Sequence, residues 1–375
     1  MTTIKKTISL QDHLDLDNAW TIPAQYYTSE EIFEVEKEAI FANSWICVSH
    51  ISELAEKNAY IIREIIGESL ILIRGRDNVL RGFYNVCPHR GHQLMSGEGG
   101  KAKNVITCPY HAWAFKLDGE LAHATNCENV NNFEADAMSL SSFHVTEHAG
   151  FVYVNLTRDT PTPIEKQLPG LKEAMEKACP VIPDLKLAAR FVNPTAANWK
   201  TIVDNYIECY HCPTNHVSFA SSVDVGVYEH HLYENWTVQV GQAKPSESSY
   251  QFDESLQDPK FYGFWIWPCT MFNMPPGGDF MTVIYEFPVS AGQTLQYYDI
   301  YFLNEELTTY QKELIEWYRT VFRPEDLRLV EGVQKGLNSR GYRGQGRIMA
   351  DRQRSGISEH GVAHFHQHIA RAHQS

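Results

Sequence analysis

The sequence predicts an α+β protein: a small antiparallel β unit, then a larger unit in which an antiparallel sheet is flanked by helices. Three observations lead there. Short apolar runs of strand length, separated by turn signals, fill residues 45–156. Longer β-rich runs return between residues 237 and 303. Helical spacing is confined to the start of the chain, a segment near residue 200 and the stretch after residue 306.

Residues 28–41 (TSEEIFEVEKEAIF) open with two capping candidates, Thr28 and Ser29, and carry Glu in the first turn. Ile32, Phe33, Val35, Ala39, Ile40 and Phe41 keep roughly helical spacing, so a helix is expected there. Residues 1–44 then form a segment packed on the larger unit. Strands are expected at 60–65, 70–74, 83–86, 112–116 and 151–156, with turns at Arg76-Asp77-Asn78, Asp118-Gly119 and Ala149-Gly150. This sets a first domain at 45–156 and a second at 157–375. The second begins with a Pro-punctuated linker and short helix (157–186), followed by a helix near 199–211. Strands are expected at 237–243, 261–274, 281–287 and 295–303, and closing helices at 307–320 and 324–337. No internal repeat is present.

The length of 375 residues suits one large or two ordinary domains. A net charge of −14 without a long basic run argues against nucleic acid and anionic membranes, and is compatible with a cationic small molecule. The leading MTTIKKTISLQDHLD lacks the apolar core of a signal peptide. The longest apolar stretch, near 261–274, is too short to cross a bilayer. The expected compartment is the cytoplasm. Eight cysteines form no dense framework. Two belong to the motif described next, and the other six are expected as reduced thiols. Cys209 and Cys212 have the spacing of a redox pair, but no thioredoxin-like βαβ context surrounds them.

Cys87-x-His89 and Cys108-x-x-His111 are separated by eighteen residues. Two thiolates and two imidazoles match a [2Fe–2S] cluster with Cys on one iron and His on the other. Such a centre passes single electrons and does no substrate chemistry, so a partner site is expected elsewhere. Tetrahedral zinc is the competing reading. Zinc knuckles usually place both thiolates on one loop, whereas here each loop supplies one Cys and one His. The iron–sulfur reading is therefore preferred.

Residues 198–216 (NWKTIVDNYIECYHCPTNH) hold the next concentration of ligands. A helix running through His211 would place Asp204, Glu208 and His211 on one face. Pro213 should end that helix, with His216 returning from a loop. Two His and a carboxylate with open positions form the facial triad of non-haem Fe(II) oxygenases. A structural His211 with an exposed His216 is the plainer alternative.

Together these motifs resemble the large, oxygenase subunit of the Rieske non-haem iron oxygenases. The resemblance spans nearly the whole chain, through an entry helix at 36–45, the two Cys/His loops, the segment 198–216 and the C-terminal helix; within the family, 87–94 (CPHRGHQL), 108–115 (CPYHAWAF), 204–211 (DNYIECYH) and 339–349 (SRGYRGQGRIM) carry the narrower resemblance given below. It implies a Rieske [2Fe–2S] domain held by Cys87, His89, Cys108 and His111, and a mononuclear Fe(II) held by His211, His216 and Asp326. Glu325 and Glu331 compete with Asp326 for the third place. Pro324 suits a helix's first turn, which would set Asp326 at an electropositive N-terminus. Most of the family place Asp three residues before the first iron His; here that residue is Glu208. The resemblance implies a homotrimer in which Glu208 links His211 to His111 of a neighbouring subunit, with Asp204 as a supporting partner.

The resemblance is strongest to members that oxidise carnitine, a small cationic substrate. It implies insertion of one oxygen atom beside the quaternary nitrogen, with release of trimethylamine and malic semialdehyde. Trimethylammonium is recognised by aromatic faces. Tyr206, Phe261, Tyr262, Phe264, Trp265 and Trp267 are candidates, although aromatics also dominate ordinary cores. Other quaternary amines (betaine, choline) or an aromatic acid are rival substrates; an electron carrier without catalysis is a rival of another class. No Gly-x-Gly-x-x-Gly opens a helix, so NAD(P)H is expected on a partner flavin/iron–sulfur reductase. His360, His364, His366, His368 and His373 crowd the C-terminus and are expected to be solvated or locally packed.

Overall fold

The computed structural model describes residues 15–244, 259–277 and 279–374. Apart from Asp15, the leading segment MTTIKKTISLQDHLD lies outside them. The chain divides into two compact units, Ala42–Gln167 and Met1–Phe41 with Leu168–Ser375.

In the smaller unit, a seven-stranded antiparallel sheet runs in the order Ile46–His50, Phe151–Asn155, Ser142–His148, Leu80–Tyr84, Glu68–Arg74, Ala59–Ile65 and Gly99–Lys101. A three-stranded sheet of Val105–Thr107, Ala114–Lys116 and Leu121–His123 accompanies it. Period-two burial does not mark Ile46–His50 and Phe151–Asn155, which are buried at every position. A buried cluster of Ile71, Ile73, Phe83, Leu94, Ile106, Trp113 and Phe115 surrounds the thiols of Cys87 and Cys108.

In the larger unit, a seven-stranded antiparallel sheet runs Lys186–Thr195, Gln293–Phe302, Phe280–Ser290, Thr270–Met274, Lys260–Ile266, Trp236–Ala243 and Val223–Leu232. It differs from expectation in two ways. Residues 261–274 are a hairpin, because Pro268 in the Trp267–Cys269 turn cannot donate to a ladder. The strands Lys186–Thr195 and Val223–Leu232 lie at the sheet edges; their mixed burial hides the alternation that sequence reading relies on.

Helices cover this sheet. Glu30–Glu36, capped by the Ser29 side chain, sends Glu36 into the interior. There the Glu36 carboxylate accepts from Lys200 Nζ at 2.6 and 2.7 Å and from Trp199 Nε1 at 3.0 Å. A fully buried ion pair is costly to desolvate but more costly to break, roughly 3–5 kcal/mol when one partner is lost. The pair ties the N-terminal helix to Trp199–Tyr206, the helix that leads into the site.

Glu286 lies buried in the sheet. Gln296 Nε2 donates to its Oε1 at 2.7 Å, while its Oε2 has no partner. Burial pushes its carboxyl up to about 8, against the ordinary 4.5. Between those values the folded chain holds a proton that the unfolded chain has released, so stability falls as pH rises through this window. Glu286→Gln should remove that slope. Its unfolding free energy should exceed that of the native chain by roughly 1–3 kcal/mol at pH 8 and by less at pH 5, measured by denaturant titration.

Candidate metal centres and active-site cavity

The two loops of the smaller unit repeat one backbone pattern. Cys87 N donates to His92 O (2.8 Å) and Gly91 N to Cys87 O (2.9 Å). Likewise Cys108 N donates to Trp113 O (2.7 Å) and Ala112 N to Cys108 O (3.1 Å). The pattern needs a left-handed residue four places after each Cys: Gly91 at φ 71° and Ala112 at φ 57°. Both thiols are buried, while His89 is exposed and His111 half-buried. Burial pushes the Cys87 thiol up, and the adjacent Cys108 thiol adds to this; backbone N–H groups of His89 and Arg90 oppose it. The His89 and His111 rings are 4.7 Å apart. Burial, His89, Arg90 and His92 hold the His111 imidazole below its ordinary range, and its buried Nδ1 has no partner. Close thiols, N–H groups aimed at sulfur and a neutral imidazole with an unused nitrogen suit a two-Cys, two-His cluster.

In the larger unit, the helix expected to run through His211 stops at Tyr206, with Ile207 as its cap. Asp204, Glu208 and His211 therefore do not share a helical face. Glu208 turns back instead: its Oε2 accepts from the backbone of Tyr210 and His211, and its Oε1 holds His211 Nδ1. Pro213 does not terminate a helix; it occupies the first turn of the short helix Cys212–Asn215, where its missing N–H costs nothing. This tight turn brings the Cα atoms of Cys209 and Cys212 to 4.9 Å, within disulfide range, and the two are bridged. The expectation of six reduced thiols fails at this pair. Among the described residues Cys47, Cys127, Cys179 and Cys269 form no disulfide.

His216 lies between Cys212–Asn215 and the helix Val217–Ser222, and is buried. Its Nε2 lies 2.9 Å from Asp326 Oδ1, and its Nδ1 lies 2.8 Å from Glu325 Oε2. His211 Nε2 is 3.9 Å from the same Asp326 oxygen. The candidate ligand atoms of His211, His216 and Asp326 all fall within 4.8 Å of one another. Each imidazole thus has its outer nitrogen tied to a carboxylate and its Nε2 turned inward, the orientation that prepares histidine to bind a metal. Burial alone would pull His216 down, but Asp326 and Glu325 hold it at about 9. A divalent cation among these groups would take over the charge-balancing role of that proton.

Asp326 is not at a free helix N-terminus. The chain is already helical through Thr309–Trp317 and the wide turn Tyr318–Phe322, which runs on into Arg323–Leu337. The wide turn rotates the following residues and points Asp326 at the histidines. Of the two competitors, Glu325 supports His216, and Glu331 accepts from Ala196 N elsewhere. Asp204 is 3.0 Å from His366 Nε2 and 2.6 Å from the Tyr27 hydroxyl, so it fastens the helix rather than reaching either histidine. The C-terminal histidines are packed in or against the helix His360–Ala372.

A cavity adjoins this centre. His211, His216, Asp326, Glu208 and Asn205 supply its polar wall, and Tyr206, Phe219, Tyr228, Phe261 and Phe322 its aromatic one. Burial keeps the Tyr206 phenol neutral, and its hydroxyl lies 2.9 Å from Asn273 Oδ1. Asn205 Nδ2 lies 3.5 Å from His211 Nε2. Of the aromatic candidates, Tyr206 and Phe261 line the cavity; Tyr262, Phe264, Trp265 and Trp267 do not. Trp265 and Trp267 pack on Phe365 of the C-terminal helix, and Phe264 stacks on Trp236. Phe219 and Phe322 carry no motif; their nearness to His216 and Asp326 in sequence was the available signal.

A Rieske-type cluster unit in one chain with a two-histidine, one-carboxylate centre defines an iron oxygenase subunit. Residues 182–375 match the family described as ring hydroxylating alpha subunit (catalytic domain), and residues 44–134 match the Rieske [2Fe-2S] domain. The chain belongs to this family of Rieske non-haem iron oxygenases, which are oxidoreductases with a [2Fe–2S] cluster and a mononuclear iron. It is 64% identical over 358 residues, 96% of either chain, to the carnitine monooxygenase oxygenase subunit of Acinetobacter baumannii. A solved quaternary ammonium Rieske monooxygenase, described for carnitine oxidation and inter-subunit electron transfer, matches with a TM-score of 0.93 at 60% identity, covering 98% of this chain and 100% of that one. A complex of such an enzyme with L-carnitine matches with a TM-score of 0.91 at 60% identity and the same coverage.

Glu325→Ala should leave His216 poorly oriented. Its Fe(II) affinity, titrated on the anaerobic protein, should fall about 10–100-fold while the visible spectrum of the iron–sulfur cluster is unchanged.

Proposed function

We propose that the chain is the oxygenase component of a two-component monooxygenase that cleaves L-carnitine to trimethylamine and malic semialdehyde. O2 is the oxidant, and an NAD(P)H-dependent flavin/iron–sulfur reductase is the electron source. The observation that carries this reading is one cavity whose aromatic wall faces a two-histidine, one-carboxylate centre, in a chain 64% identical to a carnitine monooxygenase subunit.

In this reading Cys87, His89, Cys108 and His111 hold the cluster, and His211, His216 and Asp326 hold the iron. When bound, these groups supply single-electron transfer and O2 activation. The residues of the chain do the rest. Tyr206, Tyr228, Phe219 and Phe261 present aromatic faces to a trimethylammonium group, which has no N–H to donate. Their burial keeps water from competing for the cation. Glu208 fixes the His211 ring through Nδ1, and in a homotrimer faces the neighbouring subunit's cluster histidine; one charge-assisted contact then both orients a ligand and opens an electron path.

Oxygen inserted at the carbon bonded to nitrogen gives a carbinol whose C–N bond breaks as its hydroxyl loses a proton. Trimethylamine leaves, and the carbon becomes an aldehyde. None of the described helices is long and apolar enough to cross a membrane, and the cytoplasm, where NAD(P)H is available, is the proposed compartment.

The test is trimethylamine release from L-carnitine with O2, NADH and a matching reductase, run beside choline, glycine betaine and benzoate. Carnitine should give the highest kcat/KM; preferred turnover of benzoate would overturn the assignment. His211→Ala should abolish product and leave the cluster spectrum intact, and retained turnover would contradict the two-centre reading.

A further inference from the structure

A second cavity adjoins the first and shares Asn205, Tyr206, Ile284 and Asp326 as walls. Arg323 lines only this second cavity, one helical turn before Asp326. The Arg323 side chain is 5% exposed, and its guanidinium lies over the rings of Phe191 and Tyr298 at 5.4 and 5.1 Å. Its hydrogen-bond partners are neutral. Nη2 donates to Gln296 Oε1 at 2.9 Å, and the Asn193 amide oxygen, suitably turned, accepts from Nη1 and Nη2 at 3.0 Å. Nε is buried without a partner.

Among the described residues no carboxylate pairs with Arg323. Glu286 reaches it through Gln296 and is attracted by its charge, yet burial still holds that carboxyl at about 8, so it balances the guanidinium only in part at neutral pH. A guanidinium does not deprotonate in proteins. A buried, permanently charged guanidinium on a cavity wall with no carboxylate in direct contact favours an anion in that cavity, since buried charges are ordinarily paired.

We infer that Arg323, set by Gln296 and Asn193, binds the carboxylate of the substrate, so that the pocket takes zwitterions with a quaternary ammonium at one end and a carboxylate at the other. This deepens the proposed function and rests on it. The aromatic wall receives the cation, Arg323 the anion, and the chain between them passes Asp326. The permanent charge of the guanidinium, with an Nη1 hydrogen left over by Asn193, attracts a carboxylate and not its uncharged amide.

The test compares binding of L-carnitine and of its carboxamide, which has the same shape and cation without the negative charge. Affinities are measured by calorimetry on the iron-loaded full-length protein, for the native chain, Arg323→Gln and Arg323→Lys. The native chain should prefer carnitine to the amide at least tenfold. Arg323→Gln should lose that preference with little change in amide affinity, and Arg323→Lys should keep part of it. Equal affinity of the native chain for acid and amide would overturn the inference whether or not the variants fold. So would an undiminished preference in Arg323→Gln with native circular dichroism and cluster spectrum. In both cases carnitine still binds, and the proposed function stands. Failure of the native chain to bind carnitine at all would defeat both.

Discussion

The larger unit depends on one constraint: the outer nitrogens of two imidazoles are held by carboxylates. Glu208 takes Nδ1 of His211 and Glu325 takes Nδ1 of His216. With those nitrogens engaged, both Nε2 atoms must face the space beside Asp326, and neither ring can flip without breaking a charge-assisted bond. Local structure serves this arrangement. A helix that stops at Tyr206 frees Glu208 to fold back, and the Cys209–Cys212 bridge closes the turn around His211. Further along the chain, the wide turn Tyr318–Phe322 re-aims the helix that carries Glu325 and Asp326.

The smaller unit solves a different problem. Its two loops have the same hydrogen-bond pattern, yet they bury their thiols and leave their imidazoles toward the surface. A site arranged this way keeps its thiols in an apolar cluster around Trp113 and Phe115 and leaves its histidine side nearer the surface. That asymmetry suits the electron transfer proposed for this unit, in which an exchanging edge would be reachable while the cluster stays dry. Ala112 in a left-handed conformation shows that the pattern is enforced by the loop rather than chosen by glycine alone.

Much of this was legible in the sequence because metal ligation demands specific residue types at close spacing. The four residues proposed for the cluster and the two histidines proposed for the iron stand out for that reason. Asp326 did not stand out by chemistry, since carboxylates are common on helices, and the resemblance pointed to it. Helix limits failed where a side chain competed with the backbone: Glu208 accepts main-chain N–H groups that a continued helix would have used. Proline breaks a helix interior, which makes Pro213 look like a stop, but the same property makes it a good first-turn residue. Aromatic richness at 261–267 drew attention to Trp265 and Trp267, yet strand position alone does not tell a cavity from a core. What separates them is the C-terminal helix, whose Phe365 covers both indoles.

Arg323, Glu325 and Asp326 occupy a single helical turn. Residues three apart on a helix are neighbours on one face, about 5–6 Å between Cβ atoms. An anion held at Arg323 is therefore held at a fixed distance from Asp326, and the position of attack along the substrate becomes a matter of chain length. A ligand anchored by its cation alone could slide along the aromatic wall, because stacking over a ring is tolerant of displacement. A second, charged anchor removes that freedom. If Arg323 and Asp326 act as proposed, the carbon presented to the metal centre would be set by the spacing between two residues of one helix, and the aromatic wall would need only to be wide enough for three methyl groups. On the proposed reading, the helix that carries Asp326 would also supply the ruler for the reaction.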